Sequence, residues 1–535
     1  MQNIEQFVKR VMTYNVTVAL LTGVGCCIGA LVVLVKKINS HREMKEKIER
    51  ARNRRDESLQ QAEEVVLQYK QSHPTTDAAF IMSLSLSELT KQLKEGSLSP
   101  EDVLYSYIEK TLAVNKKLNC CTEILLESLD QLKTVGSNKE GLLYGVPVSI
   151  KENVAVKNHD CSCGVVINLD QPAEKDSVLV QVLKKQGAIP FVKTNLPQAL
   201  WSFACSNPIY GKTVNPHNPQ KTSGGSSGGE GALIGGGGSL LGIGSDLGGS
   251  IRIPASFCGI CGFKPTSGRL SLQGLHSISR GQNLVLSSPG PMARDVDSLA
   301  LCMQALLCDH MFSLDPTVPP LPFNMEIYRS AKPLRIGYLE NNGYMQPFPS
   351  MARGIREIKA LLEQAGHTVR LHHTQESEQT LLKGEPLDPI IKEQFFIYFL
   401  PKWLKKILSF LLKPVDYIHE TIAHWRSYNI DVLLCPVPGP AYNASYCGRI
   451  PTLASCTVLY NLLNFPVGVV PVSTVTAEDE EELNHQQMLS KPFKAAMSGG
   501  EGLPVAVQCV ALPWQDELCL RFMKELEQLV KQKKK

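Results

Sequence analysis

Residues 223–254 form the feature that most restricts how this chain can fold. The segment reads SGGSSGGEGALIGGGGSLLGIGSDLGGSIRIP and holds about a third of the chain's 40 glycines. Runs of Gly and Ser are usually flexible linkers, which have polar flanks. This segment instead contains the apolar stretches ALI, SLLGIG and SIRIP, which would be buried. Its glycines are therefore better explained by tight turns and close backbone approach within a folded core.

Such a loop can hold an oxyanion. Glycines let consecutive backbone N–H groups converge on one point, and a serine that follows them presents its hydroxyl there. A serine nucleophile needs a base near neutral pH, and none of the 12 histidines stands in a clear local signature. Lys151 directly follows the apolar run YGVPVSI. If it is buried beside neutral hydroxyls, the pKa of its amine falls; the alternative is a surface lysine at a strand end.

Short apolar runs alternate with helical patterns along the chain. Runs of strand length are YGVPVSI (144–150), AIPFVKT (188–194), PLRIGYL (333–339), DVLLCPV (431–437) and FPVGVVPV (465–472). This alternation predicts an α/β fold with a mixed or parallel sheet. The hydrophobic content of 43% is ordinary for a globular protein with a large core.

Charge and cysteine usage exclude several classes of protein. A net charge of +4 over 535 residues does not suit a polyanion binder, so no nucleic-acid partner is expected. The 16 cysteines lack the dense spacing of a secreted disulfide scaffold and are interpreted as reduced core residues. Cys258 and Cys261 have the spacing of a redox CxxC motif, but they lack a thioredoxin-like context. Cys161 and Cys163 lack a second pair of ligands, so a zinc site is not expected there either. No metal or organic cofactor is predicted.

Residues 11–35 contain no charged side chain and predict a transmembrane helix. A cleaved signal peptide is the competing interpretation, but the apolar run is long for one. Many Lys and Arg residues follow the run, so the positive-inside rule leaves the bulk of the chain in the cytosol. On that topology the sequon at Asn443 stays unglycosylated. The basic tail (526–535) fits a retrieval signal for the endoplasmic reticulum.

Two stretches carry a specific family resemblance. GGSSGGEGALIGGGGSLLGIGSDLGGSIRIPASFCGICGFKPT and YGVPVSIKEN resemble the amidase signature family, whose members use a Ser–cis-Ser–Lys triad. TNLPQALWSFACSNPIYGKTVNP, GPMARDVDSLALCMQALLC and GLPVAVQCVALPWQDELCLRFM are similar to the membrane-bound fatty acid amide hydrolases of that family. The likeness covers most of residues 75–525. It implies an amidase-signature fold, with a large twisted mixed β-sheet core covered by helices.

The resemblance implies a catalytic role for three residues. Ser250 would be the nucleophile that forms an acyl-enzyme. Ser226, which would follow a cis peptide bond, would relay protons between Ser250 and Lys151. Lys151 would begin neutral, take a proton through Ser226 and return it to the departing amine. Amines leave poorly unless they are protonated, so a relay that couples base to acid suits amide cleavage.

The resemblance also implies a substrate-binding set. Its members are Leu200, Ser226 and the backbone N–H groups of an oxyanion hole, namely Leu247, Gly248, Gly249 and Ser250. Ser227, Asp246 and Arg252 match the signature as well, and they are expected to orient the loop.

Residues 391–414 interleave aromatic and aliphatic side chains with lysines. That composition suits an interfacial helix pair, and the resemblance implies a membrane-binding cap through which lipid amides enter from the bilayer. A pair of core helices is the alternative. The stretches 372–430 and 480–502 look shortened compared with the family, which bears on the preferred acyl chain length and on dimer contacts.

The predicted organisation has five parts. They are a short N-terminal segment (1–10), a transmembrane helix (11–35), a charged helical connector (36–75), an amidase-signature catalytic domain (76–525) and the basic tail (526–535). The expected function is hydrolysis of long-chain fatty acid amides, including N-acylethanolamines and primary amides, with side activity on esters. The expected location is the endoplasmic reticulum or other endomembranes, with a cytosolic catalytic domain, and a homodimer is compatible with the resemblance. A small-amide or glutamine-type amidase and a catalytically weak membrane scaffold are the alternatives.

Overall fold

The computed structural model describes residues 2–135, 139–278, 285–341, 347–372, 414–449, 455–486 and 491–534. The chain divides into two compact units, Met1–Asn53 and Arg54–Lys535. The first unit is helical, and the second contains the β-sheet. Of the predicted cap (391–414), all residues but the last lie outside the described ranges.

The helices follow one another along the described part of the chain. In order they are α1 (Gln2–Ser72), α2 (Ala78–Ser83), α3 (Leu86–Glu95), α4 (Pro100–Leu118), α5 (Glu127–Val135), α6 (Val178–Lys185), α7 (Gly228–Gly235), α8 (Arg252–Cys258), α9 (Val296–Leu306), α10 (Asp309–Leu314), α11 (Met325–Arg329), α12 (Pro349–Gln364), α13 (Pro414–Ser427), α14 (Ser455–Leu462), α15 (Ala477–His485), α16 (Lys491–Met497) and α17 (Asp516–Lys533). Short 3₁₀ turns lie at Val166–Asn168, Gln198–Leu200 and Ala444–Arg449.

The predicted transmembrane segment and connector form one continuous helix, α1. Within the described residues, no helix is found that combines the length and apolar character needed to cross a membrane, so the predicted span at 11–35 is not confirmed.

The strands of the described residues are β1 (Cys121–Ile124), β2 (Pro147–Lys151), β3 (Ile189–Thr194), β4 (Ser206–Asn207), β5 (Gly211–Lys212), β6 (Leu241–Asp246), β7 (Cys261–Lys264), β8 (Ser288–Ala293), β9 (Arg335–Tyr338), β10 (Thr368–Leu371), β11 (Val432–Pro436), β12 (Val467–Thr474) and β13 (Pro504–Val510). Among them, eleven form one sheet in the order β1-β3-β2-β6-β8-β7-β12-β13-β11-β9-β10, and β4 pairs with β5. The β3–β2–β6 pairings are parallel, whereas β6–β8 and the pairs up to β13–β11 are antiparallel. The predicted α/β fold with a mixed sheet is confirmed.

Central strands of the sheet are covered on both faces. Every residue of β2, β6 and β13 is buried. Successive side chains of a strand point to opposite faces, so uninterrupted burial requires packing on both. This explains why these segments read as short continuous apolar runs rather than as alternating patterns.

The sheet brings two signature segments to one edge. β2 and β6 are parallel neighbours, with Ile150 opposite Ile243. Their carboxyl ends, at Lys151 and Asp246, therefore lie on the same side of the sheet, and helix α8 begins shortly after Asp246. In α/β sheets the carboxyl ends of parallel strands are a common place for a ligand site.

Candidate active site

Lys151, the last residue of β2, is fully buried. Its Nζ donates hydrogen bonds to Ser226 Oγ at 2.7 Å, Ser245 Oγ at 2.9 Å and Ser245 O at 3.3 Å. Burial lowers the pKa of Lys151 to about 7, because removal from water penalises the ammonium form more than the negative charge of Asp246 favours it. A large fraction of the amine is therefore neutral near pH 7. The lysine is not the exposed strand-end residue of the alternative interpretation.

Ser226 precedes helix α7, and its peptide bond with Gly225 is cis, as the resemblance implies. A Cβ added to Gly225 would lie 2.2 Å from the carbonyl oxygen of Ser202, so only glycine allows the neighbouring loop to approach this closely. The Ser226 hydroxyl is buried and accepts the hydrogen bond from Lys151. One half of the predicted relay is thus formed.

Ser250 lies on the turn between β6 and α8 and is 9% exposed. The backbone N–H of Ser227 donates to Ser250 O at 3.0 Å, which brings the chain segments of the two serines together. In the described chain the Ser226 and Ser250 hydroxyls do not hydrogen-bond to each other, so the second half of the relay stays a prediction. Catalytic hydrogen bonds often form only when substrate is bound.

Asp246 and Arg252 hold the loop that carries Ser250. The Asp246 carboxylate accepts hydrogen bonds from Gly249 N at 2.7 Å, Ile251 N at 3.1 Å and Arg252 Nε at 3.0 Å. Both charged side chains are fully buried, and the Arg252 guanidinium keeps the pKa of Asp246 well below its usual range despite burial. Arg252 also donates to Thr457 O at 2.9 Å, Gln508 Oε1 at 3.1 Å and Asn461 Oδ1 at 2.6 Å. A buried pair with this many partners fixes the loop in one geometry.

The oxyanion hole differs from its prediction at one position. The Gly249 N–H already donates to the Asp246 carboxylate, so it is not a free donor. Within the described residues no hydrogen bond occupies the N–H groups of Leu247, Gly248 and Ser250. Thr457 Oγ1 donates to Gly248 O at 2.7 Å and so fixes the peptide plane of that glycine. The candidate donor set therefore has three members instead of four.

Leu200 ends the 3₁₀ turn Gln198–Leu200 and has a positive φ of 63°. The loop that follows reaches the site, since Ser202 O lies against Gly225. The contact of Leu200 itself with substrate stays a prediction. Trp201 beside it is 60% exposed and contributes nothing to the buried hydroxyl cluster.

The sequence analysis did not identify several residues of the site. Ser245 is a direct hydrogen-bond partner of Lys151. Because it stands next to Asp246 within the signature segment, its place in the site could have been predicted from the sequence. Thr457, Asn461 and Gln508 lie more than 200 residues along the chain, and no local pattern indicates them. Within the described ranges no group of three or more His, Cys, Asp or Glu side chains has the arrangement of a metal site.

The comparisons with known proteins agree with this geometry. A family model described as Amidase matches residues 102–383 and 408–520. The chain is 45% identical to "Fatty-acid amide hydrolase 1" of Sus scrofa, over 94% of this chain and 96% of that protein. It is 52% identical to "Vitamin D3 hydroxylase-associated protein" of Gallus gallus, over 74% and 89% of the two chains. A solved structure named "Fatty acid amide hydrolase" matches with a TM-score of 0.74 and 25% identity, over 91% and 95% of the two chains.

Proposed function

This chain belongs to the amidase family, and on that premise we propose that it is a serine hydrolase that cleaves long-chain fatty acid amides to a fatty acid and an amine. The observation that carries the proposal is the buried amine of Lys151, whose Nζ lies 2.7 Å from Ser226 Oγ. The choice of fatty acid amides, rather than small amides, is supported by the name of the pig relative.

Acylation begins with attack of Ser250 Oγ on the amide carbonyl carbon. The Ser250 proton passes to Ser226 Oγ, and the Ser226 proton passes to the neutral Nζ of Lys151. The carbonyl oxygen becomes an oxyanion, for which the N–H groups of Leu247, Gly248 and Ser250 are the candidate donors. The pKa of Lys151, about 7, suits this step because the amine is neutral often enough to accept a proton at neutral pH.

Collapse of the tetrahedral intermediate returns the proton. The Lys151 ammonium gives it back through Ser226 to the amide nitrogen, the C–N bond breaks, and a neutral amine departs. Water then attacks the acyl-enzyme by the same proton path, which releases the fatty acid and restores Ser250. Esters need less help from the acid, because an alcohol leaves more readily than an amine, so side activity on esters is part of the proposal.

The test uses the purified full chain and a fluorophosphonate probe. We expect labelling of the wild type and loss of labelling in Ser250→Ala, together with faster turnover of oleamide than of glutamine. Ser473→Ala is a matched control, since that half-buried serine lies at the end of β12 and belongs to no part of the proposed site. Turnover of glutamine alone would favour the small-amide alternative, and absence of labelling in the wild type would favour a scaffold.

We further propose that the N-terminal unit attaches the enzyme to membranes of the endoplasmic reticulum, with the catalytic domain in the cytosol. The support comes from large apolar side chains that are exposed on the helix between residues 21 and 35, among them Leu31 at 60% and Val33 at 66%. Basic residues follow them directly, as in segments that bind anionic lipid surfaces.

Flotation with vesicles of phosphatidylcholine and phosphatidylserine tests this attachment. We expect the full chain to float with the vesicles and the double variant Leu31→Asp/Val33→Asp to remain at the bottom of the gradient. Leu321→Asp is the control, because this exposed leucine lies in the second unit. Equal flotation of wild type and double variant would contradict attachment through this segment.

A further inference from the structure

Glu230 is a fully buried carboxyl group that the proposed reaction does not use. It lies in the first turn of α7, four residues after Ser226. Its Oε2 lies 2.5 Å from Ser149 Oγ on β2, and its Oε1 accepts a hydrogen bond from Thr194 Oγ1 on β3 at 2.8 Å. The group therefore links the helix that follows Ser226 to two strands of the sheet.

The contact between Ser149 and Glu230 lies next to the contact between Lys151 and Ser226. Ser149 and Lys151 are two residues apart on β2, so their side chains leave the same face of the strand. Ser226 directly precedes the N-cap of α7, and Glu230 lies in the first turn of that helix. Two side-chain contacts, Lys151 to Ser226 and Ser149 to Glu230, thus join the same pair of chain segments.

The contacts around Ser149 also indicate where a proton lies. Ser149 Oγ is within 2.5 Å of Glu230 Oε2 and 3.2 Å of Ser239 Oγ, and Ser239 Oγ donates to Leu241 O at 2.9 Å. Each hydroxyl has a single hydrogen to donate. If Glu230 is protonated, it donates to Ser149, Ser149 donates to Ser239, and Ser239 donates to Leu241 O. Each of these three contacts then has its own hydrogen, and the longer contact of Ser149 Oγ with Leu241 O, at 3.3 Å, has none. An ionised Glu230 instead takes the Ser149 hydrogen and leaves the contact with Ser239 without one as well.

We propose that Glu230 is a positioning residue whose protonated form, through Ser149, aligns Lys151 with Ser226. This inference rests on the proposed function. It assigns to Glu230 no contact with substrate. Its effect on the reaction comes from the placement of the lysine amine and from the absence of a negative charge beside it.

The charged surroundings are consistent with a neutral carboxyl group. Within the described residues, Lys151 on β2 and Cys121 on β1 are the titratable groups that face Glu230, and burial raises the pKa of Glu230 to about 7. Lys151 in turn faces Asp246, Cys163 and Cys205. An ionised Glu230 would stabilise the ammonium form of Lys151, which is the form that cannot accept a proton from Ser226.

The first experiment measures the protonation directly and needs no substrate. We expect the infrared difference spectrum of wild type minus Glu230→Gln, recorded at mildly acidic pH with ¹³C-labelled glutamate, to show the C=O stretch of a protonated carboxylic acid, because this pH lies below the pKa of Glu230, about 7. Carboxylate bands in its place would overturn the inference, even if the enzyme hydrolyses amides as proposed. If the proposed activity fails instead, this measurement still decides the state of Glu230.

The second experiment separates positioning from bulk stability. Glu230→Gln keeps one donor and one acceptor, so we expect its kcat and the apparent pKa of kcat to stay close to those of the wild type. Glu230→Ala loses the alignment, and we expect kcat to fall by about 10²-fold with KM unchanged. Ser149→Ala breaks the same link from the other side and should lower kcat too, which keeps the test valid if Glu230→Ala does not fold. A lowered apparent pKa in Glu230→Gln, or unchanged kcat in both alanine variants, would overturn the proposal.

Discussion

Replacement of Lys151 by alanine should remove amide hydrolysis and leave much of the ester hydrolysis. The magnitude follows from the pKa of the buried amine, about 7 against an ordinary value of 10.5. At pH 7 about half of the amine is neutral, whereas an unshifted lysine would be neutral only about 3 times in 10⁴. Burial thus raises the fraction of competent base by about 10³-fold, and general base catalysis of this kind contributes about 10²–10⁴. We expect kcat for oleamide to fall by a factor in that range.

The sign of the pH dependence follows from the same group. The reaction needs the neutral amine, so activity is present above the pKa of Lys151 in the folded state and is lost as pH falls through about 7. The assay is turnover of oleamide and of methyl oleate between mildly acidic and mildly alkaline pH, with folding checked by circular dichroism. Below the pKa we expect kcat for the amide to fall about tenfold per pH unit.

Two matched variants sharpen the assay. Lys151→Arg keeps a long side chain but stays protonated at every working pH, so it should be as poor on amides as the alanine variant. Lys157→Ala removes an exposed lysine six residues away and should behave as the wild type. The reasoning would be refuted if Lys151→Ala kept both the amide kcat and the apparent pKa of the wild type.

Three other substitutions test the frame around the site. Arg252→Met leaves the buried Asp246 carboxylate unpaired, so we expect the free energy of unfolding in urea to fall by about 3–5 kcal/mol. The control Arg335→Met removes an exposed ion pair and should cost less than about 1 kcal/mol. Equal losses in the two variants would contradict this expectation. Gly242→Ala places a Cβ 2.1 Å from a Glu230 oxygen, so we expect the free energy of unfolding to fall by about 1–3 kcal/mol in the same assay. An unchanged free energy of unfolding would show that the core relaxes around the added methyl group. Thr457→Val removes the 2.7 Å hydrogen bond to the Gly248 carbonyl, at about 1 kcal/mol of stability. We expect slower fluorophosphonate labelling of this variant, and an unchanged rate would exclude a role for Thr457 in holding the oxyanion donors.

The contacts that could be predicted are those within the signature segments. Alternation of apolar runs placed Lys151 at a strand end, and the sheet puts that end beside Asp246. The contacts of Arg252 with Asn461 and Gln508 could not be predicted, because the fold alone brings residues more than 200 positions apart into contact. Burial of a charged arginine is acceptable only once such partners are in place, and the partners have no sequence pattern of their own.

The oxyanion hole shows a different limit. All four predicted N–H groups lie on one short loop, and sequence alone treats them as equal. The structure distinguishes them, because the Asp246 carboxylate accepts a hydrogen bond from the N–H of Gly249 and thereby sets the direction of the neighbouring N–H groups. An N–H that donates to Asp246 cannot also donate to the oxyanion of the substrate. The number of free donors therefore depends on where a carboxylate points, which composition and spacing do not specify.

The two buried carboxyl groups near Lys151 differ in the form that their surroundings favour, and this difference bears on the charge of the lysine. Asp246 is ionised, and Arg252 neutralises it at hydrogen-bond distance, with both side chains fully buried. In the described part of the chain, Glu230 has hydroxyl partners and no cation at hydrogen-bond distance, so burial favours its protonated form. The charges of Asp246 and Arg252 sum to zero, and the protonated form of Glu230 adds none. An amine in these surroundings gains little from becoming an ammonium ion, and it can therefore accept a proton from Ser226 and release it again within one catalytic cycle.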